Sequence, residues 1–118
     1  MRHRGGRGFR GWWLASTILL LVAEKPSHGY ELAERLAEFG IEIPGIGHMG
    51  NIYRVLADLE ESGLLSTEWD TTVSPPRKIY RITPQGKLYL KEILRSLEDM
   101  KRRIETLEER IKRVLQEE

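Results

Sequence analysis

Cysteine is absent from the 118 residues, which excludes a disulfide framework and any thiolate zinc site. The three histidines, His3, His28 and His48, lack the close spacing of a metal-binding pair, so no metal is expected. No nucleophile stands beside a base, and there is neither a glycine-rich phosphate loop nor a carboxylate pair in a recognisable frame. An enzyme is therefore not expected, nor a cofactor. Long apolar runs are scarce as well. The stretch WWLASTILLLVA, residues 12 to 23, is too short to span a bilayer, and Leu21 sits where a signal-peptide cut after Ala23 would need a small residue. The run reads as a buried helix, with no membrane partner and a cytoplasmic location as the expectation.

Acid is missing from one end. Residues 1 to 11 carry Arg2, Arg4, Arg7 and Arg10 and no carboxylate, a local charge of +4. Residues 12 to 88 hold seven basic and ten acidic side chains, a net of −3, and residues 89 to 118 hold eight of each. The overall charge of +1 thus hides a basic arm and small basic patches, which is where an anionic partner would bind. The arm MRHRGGRGFRG has little to bury and is expected to be flexible, either idle or reaching into a minor groove.

What is present is mostly helical pattern. The first helix is expected from about Trp12 to Lys25, ended by Pro26, and is apolar around nearly its whole circumference, so it needs two covering surfaces. A second helix runs through HGYELAERLAEFG, capped by Ser27 or His28, with Leu32, Leu36 and Phe39 as its buried stripe and Gly40 as its end. The glycine-rich IEIPGIGHMG reads as a loop, with a short extended piece at Ile41 to Ile43. A third helix follows from about Met49 to Ser62, stopped by Gly63. Ile52, Val55, Leu56 and Leu59 share one face; at about 100 degrees per residue, Gly50, Tyr53, Arg54 and Ala57 fall opposite. The acids Asp58, Glu60 and Glu61 all lie in its second half, while Asn51, Tyr53 and Arg54 lie in its first. Only the amino-terminal end is fit to approach an anionic surface.

LLSTEWD alternates Leu65, Thr67 and Trp69 against Ser66, Glu68 and Asp70, as a half-buried strand does. TTVSPP makes a turn and RKIYRIT returns, giving a hairpin with Arg77 and Lys78 near its tip. Thr83 and Pro84 then open a helix. Its apolar residues Leu90, Ile93, Leu97, Met100, Ile104, Leu107, Ile111 and Val114 keep an unbroken heptad spacing, widened by Leu94 and Leu115. A helix from Pro84 onward, roughly 50 Å long at about 1.5 Å per residue, cannot lie on a small domain over its whole length. The seam is expected to meet another chain.

The fold class that results is mainly α with a small β-hairpin: a winged helix-turn-helix domain, residues 12 to 83, between the basic arm of residues 1 to 11 and a long coiled-coil-like dimerisation helix over residues 84 to 118. At PSHGYELAERL, GNIYRVLADLEESGLL and PPRKIYRITPQGKLYL the chain resembles the three signature segments of the PadR family of bacterial and archaeal transcriptional regulators, in order and over most of residues 14 to 90. The C-terminal helix is similar to that of the smaller PadR subgroup. One departure is the loop IEIPGIGHMG, longer and richer in glycine than the family pattern. The resemblance implies a homodimeric winged-helix repressor that binds double-stranded DNA at an inverted-repeat operator and is often released by a small-molecule effector. It also implies that His28, Tyr30, the residues from Gly50 and Asn51 through Tyr53 and Arg54, and the wing residues Arg77 and Lys78 lie at or near DNA. Related regulators hold flat aromatic effectors in an aromatic-lined space between chains, a role that Trp12 and Trp13 could fill here.

Each of these residues has a plainer reading. Tyr53 can be a packing residue, Arg54 a solvated charge, Arg77 and Lys78 strand-edge charges, His28 a helix cap, and the tryptophans core. Two other functions stay open beside a dimeric repressor: a winged-helix protein-interaction module, motivated by the acidic excess of residues 12 to 88, and a small-molecule sensor without DNA binding.

Overall fold

The computed structural model describes residues 8–39 and 49–117. The loop with its extended piece at Ile41 to Ile43, the helix stop at Gly40, His3, His48 and the arginines Arg2, Arg4 and Arg7 lie outside the described residues. Among the described residues seven segments of regular structure follow one another: α1 (Gly8–Glu24), α2 (Gly29–Leu36) with a 3-10 turn at Ala37–Phe39, α3 (Met49–Glu61), the strands β1 (Leu65–Asp70) and β2 (Arg77–Ile82), and α4 (Pro84–Gln116).

α1 is the pillar of the domain. It begins at Gly8, about one turn before the expected Trp12, and it packs against α2, α3, β2 and α4. That answers the need for several covering surfaces: Ile18, Leu19, Leu21 and Val22 are buried against Leu32 and Leu36 of α2 and Ile52, Leu56 and Leu59 of α3. Thr17, buried among them, keeps its hydroxyl satisfied by donating to the Trp13 carbonyl at 2.8 Å. Phe39 departs from the expected α2 stripe and is exposed. The tighter 3-10 turn that ends the helix shifts the angular spacing, so the i+7 position no longer falls beneath Leu32 and Leu36.

α3 ends where glycine permits it. Gly63 adopts φ +81, its N–H reaches the Glu60 carbonyl at 3.0 Å, and the Leu64 N–H reaches that of Leu59 at 2.9 Å. That crossed pair is a Schellman ending, and it aims the chain directly into β1. β1 and β2 pair antiparallel from Leu65↔Ile82 to Asp70↔Arg77. Ser27, between α1 and α2, adds a short bridge to the outer edge of β2 through Tyr80, with N–H···O distances of 3.3 and 2.9 Å. The hairpin is therefore fastened on both sides of its base. Trp69 departs from its expected half-buried face and is 64% exposed, because the ribbon leaves the core beyond Thr67.

α4 starts as its sequence dictates. The Thr83 hydroxyl accepts from the Gly86 N–H at 3.0 Å and donates to the Gly63 carbonyl at 2.7 Å, and Pro84 occupies the first turn. A side chain at Gly86 would stand 2.3 Å from the Leu64 carbonyl oxygen, so only glycine lets α4 approach the α3–β1 turn this closely. Beyond Leu97 α4 projects from the domain and stretches the molecule to 66 × 32 × 26 Å. The seam splits in two here. Ile93 is only 7% exposed and packs, with Leu90, on the chain's own core, whereas Leu107 is 62% exposed and Ile104, Ile111 and Val114 are open likewise.

Candidate nucleic-acid interface

α3 buries Met49, Ile52, Leu56 and Leu59 and leaves Gly50, Asn51, Tyr53, Arg54 and Ala57 exposed. The helical spacing alone separates these faces, and it turns the polar side of the first half away from the core. There the Arg54 Nη2 donates to Asn51 Oδ1 at 3.0 Å, so the guanidinium stands above an amide one turn earlier. No acid shares this end of the helix.

The acids of the second half are used differently. Glu60 faces the hairpin, where Oε2 accepts from the Thr67 hydroxyl at 2.9 Å and Oε1 lies 3.5 Å from Lys78 Nζ. Lys78 also stands 5.9 Å above the Tyr80 ring. The expected pair of wing cations is thus divided: adjacent residues of a strand point to opposite faces, so Lys78 turns inward to α3 while Arg77 stays outward. Burial pushes the Tyr80 phenol above its ordinary value, with the nearby Glu60 carboxylate and then Tyr53 adding to the rise.

Arg77 meets the amino-terminal end of α2. Its Nη1 lies 3.3 Å from His28 Nε2, which is in turn 3.4 Å from Glu31 Oε1. The His28 N–H donates to Glu31 Oε1 at 3.2 Å, half of a capping box, while the buried His28 Nδ1 has no hydrogen-bond partner among the described residues. His28 is therefore at once the cap position of α2 and a neighbour of the wing. Tyr30, two residues on, is exposed. Tyr53 reaches this place from α3 and is 41% exposed, so it is half packed rather than fully outward. Its phenol is raised by burial first and by the Tyr30 phenol second, while the Arg77 charge acts in the opposite direction. Asp70, across the ladder from Arg77, has its carboxyl held below the ordinary range, chiefly by the Thr72 hydroxyl and then by the Thr72 N–H.

His28, Tyr30, Tyr53 and Arg77 thus gather at one place, Asn51 and Arg54 continue it along α3, and Lys78 stands apart. Gly29 and Arg35 are unremarked in the sequence, and Glu60 is marked there only as an acid of the second half of α3. Gly29 is where α2 lets Tyr53 approach: a Cβ there would fall 2.6 Å from the Tyr53 ring and hydroxyl. Glu60 fastens α3 to the hairpin. Arg35 bonds to Ser27 Oγ at 2.9 Å and Glu24 Oε1 at 3.2 Å, tying α2 to the end of α1. Only the HGY tripeptide carried a hint, as a glycine at a helix start between two aromatic neighbours.

Away from this face, Trp12 and Trp13 line an open cavity of about 310 Å³ together with Leu20, Phe39, Ile93 and Leu97. The two indoles are 6.5 Å apart and Phe9 lies 5.9 and 5.7 Å from them. The cavity opens where the covered part of the α4 seam gives way to the uncovered part. Among the described residues no cluster of three His, Cys, Asp or Glu could hold a metal ion, and no helix is long and apolar enough to cross a membrane.

A family model described as transcriptional regulator PadR-like matches residues 18–92. A transcriptional regulator of Mycobacterium tuberculosis is 33% identical over 87 residues, covering 74% of this chain and 78% of that protein. Among solved structures, a PadR family transcriptional regulator from Eggerthella lenta is similar with a TM-score of 0.72 at 33% identity over 83% of each chain. A conserved protein of unknown function, described as a potential transcriptional factor, gives a TM-score of 0.85 at 98% identity, covering 96% of this chain and 99% of that one.

Proposed function

The chain belongs to the PadR-like family of transcriptional regulators, and from that membership we propose that it is a homodimeric repressor of an inverted-repeat DNA operator. One observation carries the reading: the first half of α3 presents Asn51, Tyr53 and Arg54 without an acid, and Tyr30, His28 and Arg77 extend that face. Helix-turn-helix proteins meet base edges with the first residues of the second helix, and guanidinium groups read guanine or hold phosphate. Arg54 and Asn51 are the base-reading candidates; Arg77 and His28 suit the adjacent backbone, with Gly50 allowing close approach. Lys78 serves the wing indirectly, through Glu60. Residues 12 to 83 form the DNA-binding unit in this reading and residues 84 to 118 the dimerisation helix, so that two copies of α3 face successive major grooves about 34 Å apart.

The uncovered seam supports the pairing. Ile104, Leu107, Ile111 and Val114 are exposed in a single chain, a line of large apolar side chains with nothing of their own domain to cover them. The cavity beside Trp12 and Trp13 suits a flat aromatic effector that releases the protein from DNA. Selection of a duplex from a random pool tests the DNA reading. Enrichment of a palindromic sequence, with binding that weakens steeply as salt rises, is expected. A pool from which nothing is enriched points instead to an interaction module. Quenching of tryptophan fluorescence by planar aromatic compounds, with a matching loss of DNA affinity, is the result expected of an effector.

A further inference from the structure

We infer that Gly29 is a positioning residue for DNA recognition: by lacking a side chain, it lets the Tyr53 ring seat on the first turn of α2, so that one tyrosine is shared by both helices. The inference rests on the proposed reading of Tyr53 as part of the DNA face.

The geometry is specific. Gly29 is buried, and a Cβ placed on it would lie 2.6 Å from Tyr53 Cε1, Cζ and the hydroxyl oxygen alike. All three atoms belong to the far end of the side chain, so it is the tip of the ring that rests on the glycine. Gly29 is not among the glycines of positive φ, which are Gly8 and Gly63 among the described residues, so an alanine is compatible with its backbone. What alanine cannot do there is share the space with the ring. Because the clashing atoms are the end of a rotatable side chain, relief comes from swinging the ring outward, at little cost to the fold. The cost falls on orientation: the hydroxyl leaves its seat over Gly29, where Tyr30 and Arg77 are near enough to bias its ionisation in opposite directions. Recognition needs side chains held in advance where the bases will be, and a displaced ring must be reordered at the expense of binding.

A double-mutant cycle in the full-length protein, with the duplex it selects from a random pool as probe, tests the inference. Tyr53→Ala is expected to weaken binding by roughly tenfold or more. Gly29→Ala is expected to weaken it to a similar degree with the thermal midpoint near that of the parent. The double variant is expected to bind no worse than Tyr53→Ala alone, because a ring that is gone cannot be misplaced. A second readout needs no DNA: in ring-labelled tyrosine spectra, Gly29→Ala moves the Tyr53 signals and brings its phenol, now raised by burial, back toward the ordinary value of 10.0. Unchanged Tyr53 signals in Gly29→Ala overturn the inference, as do unchanged affinity or losses that simply add. If Tyr53→Ala binds like the parent, or no duplex is selected at all, the reading of the face fails and the inference falls with it. If Tyr53→Ala weakens binding and Gly29→Ala does not, only the inference is lost.

Discussion

Arg54 stands on the exposed side of α3 with its guanidinium bonded to Asn51 Oδ1 at 3.0 Å, which in the proposed interface leaves it fewer rotamers to lose on meeting DNA. Arg54→Ala is expected to cost about 1–3 kcal/mol of DNA affinity if the residue reads a base, and to relax the preference at one position of the site. If it holds phosphate, the loss is spread over all sequences and the salt dependence becomes shallower by about one charge. Competition binding with single-position variants of the selected duplex separates the two; equal affinity of parent and variant everywhere removes Arg54 from the interface. Tyr80 gives a different kind of test. Its phenol is raised above 10.0 in the folded chain, chiefly by burial. A raised folded value means that the native state resists ionisation more than the unfolded chain does. The stability linked to it is full below the unfolded value and is lost as pH rises through the folded one. Urea unfolding between about pH 9 and 11 is therefore expected to show falling stability that flattens in Tyr80→Phe. An equal fall in both proteins assigns the alkaline loss to other groups.

At the scale of elements, the first turn of α4 is the joint that fixes the long helix to the winged domain. Thr83 bonds Gly86 and Gly63, and Gly86 lies under the Leu64 carbonyl with room for no side chain. Gly86→Ala places a Cβ against backbone, which cannot rotate away, and is expected to destabilise by roughly 1–3 kcal/mol despite alanine's better helix propensity. Denaturation by urea reads it directly, and a stability equal to or above the parent's refutes the close approach. The contrast with Gly29, whose obstacle is a mobile ring, is one of neighbour rather than of glycine. Elements of this kind were legible in the sequence wherever the cause is local. Heptad spacing marked α4, Thr83 and Pro84 its start, Gly63 the end of α3, and alternation the hairpin. Faces were legible only while the local period held: Phe39 turned outward when α2 tightened, and Trp69 emerged because alternation assigns a face but not how far the core extends. Contacts between distant residues left no local trace. Glu60 with Lys78, His28 with Arg77 and Gly29 with Tyr53 depend on how α2, α3 and the hairpin dock, and no spacing within one segment encodes that.

For the whole molecule, the α4 seam divides into a part that folds with the domain and a part that the chain itself leaves open. Ile93 is 7% exposed and belongs to the core, so a charge there is a charge inside the domain. Leu107, at 62% exposed, touches nothing of its own core, so a charge there leaves one chain intact. In a pair joined through the seam the same leucine is buried, and burying such a side chain stabilises the pair by about 1.5–3 kcal/mol in each chain. Leu107→Glu removes that contribution twice and sets two carboxylates in an apolar interface. It is expected to shift the protein to a monomer in sedimentation while its circular dichroism and near-ultraviolet spectra still report a folded domain. Operator binding then depends on one α3 finding one half-site, without the raised effective concentration that a linked second site provides, and a fall of roughly a hundredfold or more is expected. A Leu107→Glu protein that remains a dimer refutes the seam as the interface. One that is monomeric yet binds with parental affinity refutes the inverted-repeat operator instead, because recognition by a single α3 would then be enough.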